Sequence, residues 1–308
     1  MSTTSTGSSS PREPAVAALP AVPGTAAEVR STLERLSIRP SRGLGQSFLT
    51  DPFVADAEAA LVDLPPGQPL VEIGGGLGQL SAALLRRRLG PLTVIERDAR
   101  LARFLRRTFG DRLTVVEGDA LEVPWPPAEV AVGNLPYAAA TPILLRLFAL
   151  RVPRVVFLIQ DEVARRLAAG PGSKEYGRLS IIARLYGSVE LFRTVPASAF
   201  SPVPEVTSRL GVHVARTGPL PVPSVPAFEE LVRVLFSSRR KQLRNLLPRI
   251  VRSEATAARW TAEAGWPHDW PSLRPESLPP EAYFALARVV AAASRDRPSS
   301  PVAPDEVR

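Results

Sequence analysis

The sequence predicts an α/β fold, with helices on both faces of a mostly parallel seven-stranded sheet, followed by a small C-terminal all-helical domain. From Pro69 onward, short apolar runs alternate with amphipathic segments, and strands that alternate with helices form parallel sheets covered on both faces. After a proline-rich stretch from Gly218 to Pro226, the sequence turns helical. These two patterns separate an α/β part of the chain from a helical part.

Seven short apolar runs are the candidate strands of the sheet. They lie at 70–73, 92–95, 113–116, 129–132, 155–159, 189–192 and 210–214. Amphipathic helices are predicted among them at 77–89, 98–109, 142–150, 162–169 and 178–186, and after them at 228–236, 240–247, 255–263 and 280–293. In such an open parallel sheet, ligands bind at the carboxyl ends of the strands.

The two terminal segments, 1–28 and 295–308, are rich in Ser and Pro and lack periodicity, which predicts disordered tails. Between them, we expect an α/β domain at 29–216, a linker at 217–226 and a helical domain at 227–294. No stretch of about 18 uncharged apolar residues occurs, so no membrane-spanning helix is expected. The start of the chain is unlike a secretory signal, which favours a cytoplasmic protein.

Composition excludes several kinds of site. The sequence has no cysteine and two histidines, His213 and His268, so disulfides, cysteine-ligated zinc and His-rich metal sites are excluded and no metal is expected. The formal net charge of +8 favours a polyanionic partner such as nucleic acid. Because Lys174 and Lys241 are the only lysines, a coding bias towards arginine also explains the charge, and both interpretations stay open.

A glycine-rich segment, 74–78, follows the first predicted strand and precedes a predicted helix. Glycines at such a turn let a ligand approach the backbone closely. The dinucleotide-binding pattern requires a further glycine where this sequence has Gln79. The segment is therefore expected to face a ligand without phosphates, or to be a tight turn with no ligand.

Polar residues end three further predicted strands. Glu96 ends the second strand, where a carboxylate can accept hydrogen bonds from two ribose hydroxyls. Asp119 follows the third strand, where it could accept from an adenine amino group, and Asn134 follows the fourth. One such residue is commonly a helix cap, but a succession of them at the carboxyl ends of strands is harder to explain in that way. Together with the glycines, they predict a nucleoside-binding crevice.

The most specific motif is Asn134-Leu135-Pro136-Tyr137, although an Asn-x-Pro sequence can also be an ordinary turn. An exocyclic adenine amine is a poor nucleophile because its lone pair is delocalised into the ring. Hydrogen bonds from the amine to the Asn134 side-chain oxygen and the Leu135 carbonyl would favour a pyramidal nitrogen. Pro136 would fix the chain direction, and Tyr137 would stack on a flipped base. The motif predicts catalysis by positioning and electrostatics.

These motifs resemble those of the ribosomal RNA adenine N6,N6-dimethyltransferase family, and the resemblance covers about 39–290. The matching segments are 42–49, 72–78, Glu96, 118–120, 134–137, 171–180, 200–208, 236–243 and 274–278. The resemblance implies a Rossmann-like class I methyltransferase fold with S-adenosyl-L-methionine as the methyl donor. It also implies that 29–216 is the donor-binding catalytic domain and that 227–294 binds RNA.

The family motifs assign roles to individual residues. The donor-binding residues so implied are Gln46, Phe48, Leu49, Glu72, Gly74, Gly76, Glu96, Asp119, Ala120 and Asn134. The catalytic residues are Asn134, Leu135, Pro136, Tyr137 and Phe200, and the Phe200 ring is expected to stack on the target base. The sequence departs from the family pattern at Gly75, where proline is usual, at Ala138 and Ala139, where Asn and Ile are common, and at Glu205, where lysine is usual.

A basic run at the start of the helical domain is the candidate RNA contact. It contains Arg239, Arg240, Lys241 and Arg244. In the predicted helix 240–247, Arg240 and Arg244 would share one face. Most charge runs are solvated faces, but this run adjoins the expected target-base site, which favours contact with phosphates. The three tryptophans of the helical domain are instead expected in its core.

The resemblance implies N6,N6-dimethylation of two adjacent adenosines in a hairpin near the 3′ end of 16S rRNA. The substrate would be an immature small ribosomal subunit, and the enzyme a monomer. Segment 171–180 favours this ribosome-assembly type over a large-subunit rRNA adenine dimethyltransferase that confers macrolide resistance. A non-catalytic nucleic-acid-binding relative is the second alternative, and the intact Asn134, Pro136 and Tyr137 argue against it.

Overall fold

The centre of the protein is a seven-stranded sheet, which confirms the predicted α/β fold. The computed structural model describes residues 19–40, 46–251 and 253–295 of the chain. A separate two-stranded sheet lies beside the large one, and helices follow the last strand up to residue 295. Residues 1–18 and 296–308, which make up most of the predicted tails 1–28 and 295–308, lie outside the described residues, as do Ser41 to Gly45 and Arg252.

The strands are β1 (Phe48–Leu49), β2 (Leu70–Ile73), β3 (Leu92–Glu96), β4 (Thr114–Glu117), β5 (Val130–Asn134), β6 (Arg154–Gln160), β7 (Gly187–Val195), β8 (Phe200–Ser201) and β9 (Ser208–Ala215). The helices are α1 (Ala26–Arg35), α2 (Pro52–Ala60), α3 (Gln79–Arg86), α4 (Ala99–Phe109), α5 (Ala140–Ala149), α6 (Asp161–Ala168), α7 (Arg178–Tyr186), α8 (Val225–Phe236), α9 (Leu247–Val251), α10 (Glu254–Glu263) and α11 (Pro280–Arg295). None of these helices is long and apolar enough to cross a membrane.

The strand order across the large sheet is β4-β3-β2-β5-β6-β9-β7. The first five strands are parallel, whereas β9 runs antiparallel to both of its neighbours. Leu70 of β2 lies opposite Leu92 of β3 and Val130 of β5. Because parallel strands end at the same edge, the residues that follow β2, β3, β4 and β5 come together there.

Strand β6 shows why both faces of the sheet are covered. Val155, Phe157 and Ile159 belong to one apolar cluster, while Val156 and Leu158 between them belong to another, and all five are buried. Side chains alternate between the faces of a strand, so each cluster lies on its own side of the sheet. A strand that is buried on both faces has a continuous apolar sequence, and this pattern predicted β6.

Helix α1 begins inside the segment that the sequence predicted to be a disordered tail, so the predicted boundary at 28 is wrong. Thr25 and Glu28 form a capping box, in which the side chain of each accepts a hydrogen bond from the backbone N–H of the other, and such boxes fix helix starts. The buried residues of α1 then join a small third cluster. This α1 cluster consists of Val29, Leu33, Ile38, Phe48, Leu77 and Leu101.

The pairing of β1 with β8 was not predicted, because two-residue strands carry no periodicity. Phe48 lies opposite Ser201 and Leu49 opposite Phe200. The Thr50 hydroxyl also donates a hydrogen bond to the Ala199 carbonyl oxygen, at 3.0 Å. The small sheet therefore joins two distant segments of the chain, 46–50 and 199–208, beside the carboxyl edge of the large sheet.

The C-terminal helices pack on the α/β part rather than standing apart from it. Helices α8 and α11 both contact α7. Phe228, Leu235 and Tyr283 belong to the same apolar cluster as Val71 and Phe157 of the sheet. The tryptophans are core residues as predicted, since Trp260 and Trp266 are buried and Trp270 packs against the same cluster.

The predicted helix 240–247 is wrong. Residues 237–240 form turns, a single 3₁₀ turn covers Leu243–Asn245, and α9 starts at Leu247. Pro248 explains the break, because a proline fits the first turn of a helix but removes a hydrogen bond from its interior. The backbone N–H of Leu243 donates to the Leu273 carbonyl oxygen at 2.8 Å instead, so Arg240 and Arg244 share no helix face.

The buried His213 makes the folded state sensitive to acid. Its side chain is 0% exposed and stacks on Phe148, with ring centroids 3.9 Å apart. Burial lowers the pKa of His213 from 6.5 to about 4, so between these values the unfolded chain binds a proton that the folded chain does not. We expect this group to lower the free energy of unfolding by about 3 kcal/mol as the pH falls from 6.5 to 4.

Urea unfolding over this pH range, with the wild-type protein and His213→Leu, measures that contribution. The variant is expected to lose less stability on acidification, because other titrating groups are common to both proteins. His268→Gln is the control for replacement of a histidine, since His268 is exposed. Identical pH dependence in His213→Leu and the wild type would contradict the prediction.

Candidate functional site

A cavity of about 550 Å³ opens at the carboxyl ends of β2, β3, β4 and β5. Its wall is formed mainly by five segments, 46–49, 72–77, 95–98, 118–121 and 134–139. A cavity of this size is in the usual range for small-molecule sites. All of the predicted donor-binding residues and four of the five predicted catalytic residues line it, so the structure brings together segments that lie up to 90 residues apart in the sequence.

The glycines after β2 keep the floor of the cavity open. Gly74 and Gly76 have φ angles of +76° and +54°, in the left-handed region that side chains rarely adopt. A Cβ at Gly76 would lie 3.3 Å from the Phe48 ring, so a side chain there would press on that ring. The backbone of 74–76 therefore lines the cavity without side chains of its own.

The Glu96 carboxylate at the end of β3 is held in place by two backbone donors. The N–H groups of Gly76 and Asp98 each donate to one of its oxygens, both at 2.9 Å. Burial raises the pKa of Glu96 from its ordinary value, while these hydrogen bonds act in the opposite direction. Each oxygen keeps a further lone pair, so a fixed carboxylate faces the cavity with capacity for two hydroxyl donors.

Asp119 after β4 lines the cavity next to an arginine that the sequence analysis had not singled out. Oδ1 of Asp119 accepts from the Leu121 N–H at 2.9 Å, and Oδ2 lies 3.3 Å from Nη1 of Arg97. The Arg97 side chain is 72% exposed, so this ion pair is solvated and easily exchanged. Asp119 can therefore accept from a ligand amino group at the mouth of the cavity.

Two neighbouring acids are buried here, of which Glu72 lines the cavity and Glu58 does not. Glu72 accepts a hydrogen bond from the Ser81 hydroxyl at 2.5 Å, and burial raises its pKa to about 7. Glu58 of α2 is 0% exposed, and neither of its oxygens has a hydrogen-bond partner among the described residues. Burial and the charge of Glu72 raise the pKa of Glu58 well above its ordinary value. A cationic ligand in the cavity would favour the charged form of Glu72.

Asn134 stands at the last position of β5, and its amide group is oriented by segment 46–49. Its Nδ2 donates to the Ser47 carbonyl oxygen at 3.5 Å, which leaves Oδ1 as an acceptor. Leu135 and Pro136 follow along the cavity wall, and the Leu135 N–H donates to the Leu158 carbonyl oxygen at 3.1 Å. The sequence analysis missed Ser47, whose contribution is made by its backbone.

Tyr137 lines the cavity with its hydroxyl anchored outside it. The hydroxyls of Tyr137 and Ser208 are 2.6 Å apart and share a hydrogen bond. Ser208 is 0% exposed at the start of β9, so the anchor belongs to the rigid sheet. Burial raises the pKa of Tyr137, and its ring keeps a defined position at the cavity mouth. Ser208 was quoted in a family motif but had no predicted role.

Phe200 differs from its predicted position. Its side chain is 1% exposed, packs in the apolar core and does not line the cavity. In this arrangement Phe200 supports Leu49 through the β1–β8 pairing and presents no free ring face to a base. Stacking of Phe200 on a target base therefore stays a prediction that requires a movement of the β8 segment.

The basic run after α8 divides into two kinds of residue. Nε of Arg239 lies 2.7 Å from an oxygen of Glu276, and its Nη2 donates to the Lys174 carbonyl oxygen at 3.1 Å. Three further cations are exposed, namely Arg240, Lys241 and Arg244, and the described part of the chain offers them no carboxylate partner. These three can contact phosphates directly, whereas Arg239 is already engaged.

The comparisons with known proteins identify the family. The sequence matches the family described as Ribosomal RNA adenine dimethylase over residues 39–263. The chain belongs to that family. It is 41% identical to the probable ribosomal RNA small subunit methyltransferase A of Natronomonas pharaonis, with 84% of this chain and 96% of that protein covered. It is 37% identical to the ribosomal RNA small subunit methyltransferase A of Vibrio parahaemolyticus, with 80% and 93% covered.

Solved structures show the same fold. A dimethyladenosine transferase from Plasmodium falciparum superposes with a TM-score of 0.65 at 24% identity, over 78% of this chain and 95% of that one. The 23S rRNA methyltransferase ErmE gives 0.62 at 23% identity, over 79% and 99%. This member of the Ribosomal RNA adenine dimethylase family therefore has the Rossmann-like methyltransferase fold, and it is an rRNA methyltransferase that uses S-adenosyl-L-methionine.

The cavity fits that donor. An open backbone at Gly76, a fixed carboxylate at Glu96 and a second carboxylate at Asp119 suit a nucleoside without phosphates. Among the described residues, no cluster of three or more His, Asp or Glu side chains could hold a metal ion. Which residue contacts which group of the donor stays a prediction.

Proposed function

We propose that this enzyme dimethylates N6 of two adjacent adenosines in a hairpin near the 3′ end of 16S rRNA, within an immature small ribosomal subunit. Its relatives from Natronomonas pharaonis, Verminephrobacter eiseniae and Vibrio parahaemolyticus are named small subunit methyltransferases. We further propose that it acts as a monomer in the cytoplasm. The single observation that carries the chemistry is the orientation of Asn134, whose Nδ2 points to Ser47 and whose Oδ1 is left for an amine beside the donor cavity.

The donor would lie along the carboxyl edge of the sheet. Glu96 would accept from the two ribose hydroxyls and Asp119 from the adenine amino group, while the backbone at Gly74 and Gly76 would receive the amino-acid part. Phe48 and Leu49 of segment 46–49 would cover the donor, and Gln46, Glu72 and Ala120 would complete its surroundings. The bound donor supplies an electrophilic methyl group on a positively charged sulfur.

The protein would activate the adenine amine by positioning it. Two N–H groups of the amine would donate to Oδ1 of Asn134 and to the Leu135 carbonyl oxygen. This geometry draws the nitrogen towards a pyramidal shape and directs its lone pair at the methyl group. The methylated nitrogen is briefly cationic and loses a proton readily, so no histidine is needed. Tyr137 would hold the flipped base by stacking.

The α/β part and the helical part would have different functions. We propose that 29–216 binds the donor and carries out catalysis, that 217–226 links the two parts, and that 227–294 contacts RNA. The support is the position of the exposed Arg240, Lys241 and Arg244 in the helical part. The division concerns function alone, since helix α8 already starts at Val225 and packs on α7.

Incubation with labelled donor tests the proposed substrate. Free 16S rRNA, immature small subunits, mature small subunits and 23S rRNA are each treated with the enzyme, and modified positions are read by primer extension and mass spectrometry. The proposal expects N6,N6-dimethyladenosine at two adjacent positions near the 3′ end of 16S rRNA, with immature subunits the best substrate. Modification of 23S rRNA alone would support the macrolide-resistance alternative, and no modification of any RNA would support the non-catalytic one.

Arg240→Glu is expected to weaken RNA binding while leaving donor affinity unchanged. Arg240 is exposed and has no carboxylate partner in the part of the chain that the structure describes, so its charge is available to a phosphate. Loss of one phosphate contact should reduce the slope of log affinity against log salt by about 0.7–0.9. Filter binding across a salt series measures this slope. Arg87→Glu is the matched control, because Arg87 is exposed at the far end of α3. If Arg240→Glu had the same slope as this control, Arg240 would be a solvated surface residue that contacts no phosphate.

A further inference from the structure

Segment 170–178 of the α/β part reaches across to the helical part at the basic run. Arg239 binds both sides of this junction, since it donates to Glu276 at 2.7 Å and to the Lys174 carbonyl oxygen at 3.1 Å. The backbone N–H of Gly172 also donates to the Glu276 carbonyl oxygen at 2.8 Å. One arginine therefore joins a loop between α6 and α7 to a turn between α10 and α11.

Buried tyrosines hold the same junction from inside. Tyr176 is 0% exposed, and its hydroxyl donates to the Leu278 carbonyl oxygen at 2.8 Å. Tyr283 is also 0% exposed, and its hydroxyl donates to the Pro275 carbonyl oxygen. The turn at 275–278 is thus fixed by α11 on one side and by segment 170–178 on the other. Both contacts make the turn a rigid support for the Arg239–Glu276 pair.

The junction connects the RNA-facing cations to the catalytic motif by a short path. Arg239 is followed directly by the exposed Arg240 and Lys241. Segment 170–178 leads into α7, α7 contacts α5, and α5 begins three residues after Tyr137. Any change in the angle between the helical and α/β parts would therefore move the cations relative to the target-base position.

We propose that Arg239 is a positioning residue, which Glu276 holds in place and which fixes the helical part against segment 170–178 through the Lys174 carbonyl oxygen, and so sets the distance between the RNA-backbone contacts and the catalytic motif. This inference rests on the proposed function and assigns Arg239 a role other than phosphate contact. The Arg239 and Glu276 side chains are 37% and 23% exposed, so the ion pair adds little to overall stability. Its effect is on geometry, to which transfer rates are sensitive.

Exchange of the two charges tests the proposal. Arg239→Glu, Glu276→Arg and the double exchange are compared with the wild type for methylation of small subunits, RNA affinity and donor affinity. We expect each single variant to lose about tenfold in methylation rate, with donor affinity unchanged. The double exchange should recover part of that loss, because it restores the ion pair but leaves no donor at 239 for the Lys174 carbonyl oxygen. If Arg239 contacted a phosphate instead, the double exchange would stay as defective as Arg239→Glu, and Glu276→Arg would bind RNA normally or more tightly.

A distance measurement gives a readout independent of activity. The chain has no cysteine, so spin labels on Asp63→Cys and Ala262→Cys, both exposed positions, report one distance between the two parts. The proposal expects a narrow distribution in the wild type, a broader one in the single variants and in Glu276→Gln, and an intermediate one in the double exchange. Unchanged distributions in all variants would overturn it. If the wild type failed to methylate small subunits while the variants still showed broader distances, the result would contradict the proposed substrate and not the role of Arg239.

Discussion

Asn134→Ala is expected to abolish both methyl transfers while leaving the affinities for donor and RNA nearly unchanged. The Asn134 amide donates to the Ser47 carbonyl and keeps Oδ1 for the substrate amine. That oxygen matters chiefly as charge develops on the nitrogen, so its loss lowers the rate rather than the affinity. A loss of about 10²–10³ is expected, by analogy with removal of one preorganised polar group from other enzymes.

Single-turnover kinetics with small subunits, together with calorimetry of donor binding, separates rate from affinity. Gln68→Ala is the matched control, because Gln68 carries an exposed amide at the opposite edge of the sheet, before β2, and its loss should have no effect. Near-normal dimethylation by Asn134→Ala would disprove the proposed mechanism.

Tyr137 variants should give a different product rather than no product. After the first methylation only one N–H remains to bond the catalytic motif, so orientation of the base then depends more on stacking. Tyr137→Ala removes a stacking surface worth about 1–3 kcal/mol and should accumulate monomethyladenosine. Tyr137→Phe keeps the ring but loses the hydrogen bond to Ser208, and it should accumulate less. Mass spectrometry of digested RNA reads the ratio, and an equal ratio in wild type and Tyr137→Ala would refute the stacking role.

Asp119→Ala is expected to weaken donor binding by about 1.5–3 kcal/mol, which is about 10- to 150-fold. Asp119 lines the cavity, and its solvated pairing with Arg97 at 3.3 Å is readily exchanged for a ligand amino group. The rate at saturating donor should change much less, because the adenine end of the donor lies away from the reacting methyl group.

Calorimetric titration with the donor and with its demethylated product measures this loss. Asp111→Ala is the control, since Asp111 is an exposed acid just before β4 and should leave affinity unchanged. If Asp119→Ala bound the donor as tightly as this control, the carboxylate would have no part in donor recognition.

The sheet and the position of the cavity could be predicted because they depend on local patterns. Continuous apolar runs such as 155–159 mark strands buried on both faces, and polar residues at strand ends mark the carboxyl edge. The β1–β8 pair could not be predicted, because strands of two residues are too short to show alternating hydrophobicity and the two strands are distant in sequence. The helix expected at 240–247 failed because Pro248 and a tertiary hydrogen bond at Leu243 overrode local propensity.

Some residues of the candidate site could likewise be predicted from the sequence, and others could not. Glu96, Asp119 and Asn134 were identifiable because their side chains are chemically distinctive and follow strands. Ser47 acts through a backbone carbonyl and Ser208 through a contact made across the sheet. The sequence therefore gives no indication of the role of either serine. The burial of Phe200 and the engagement of Arg239 likewise depend on tertiary packing that motif matching does not describe.

Helix α1 also limits how far the protein can be shortened. The family match begins at residue 39, which would suggest that everything before it is dispensable. Yet Val29 and Leu33 of α1 cover Phe48, Leu77 and Leu101 beside the donor cavity. A chain cut at residue 39 would expose these three apolar side chains to water at the entrance to the site, and we expect it to aggregate during purification and to hold its donor poorly.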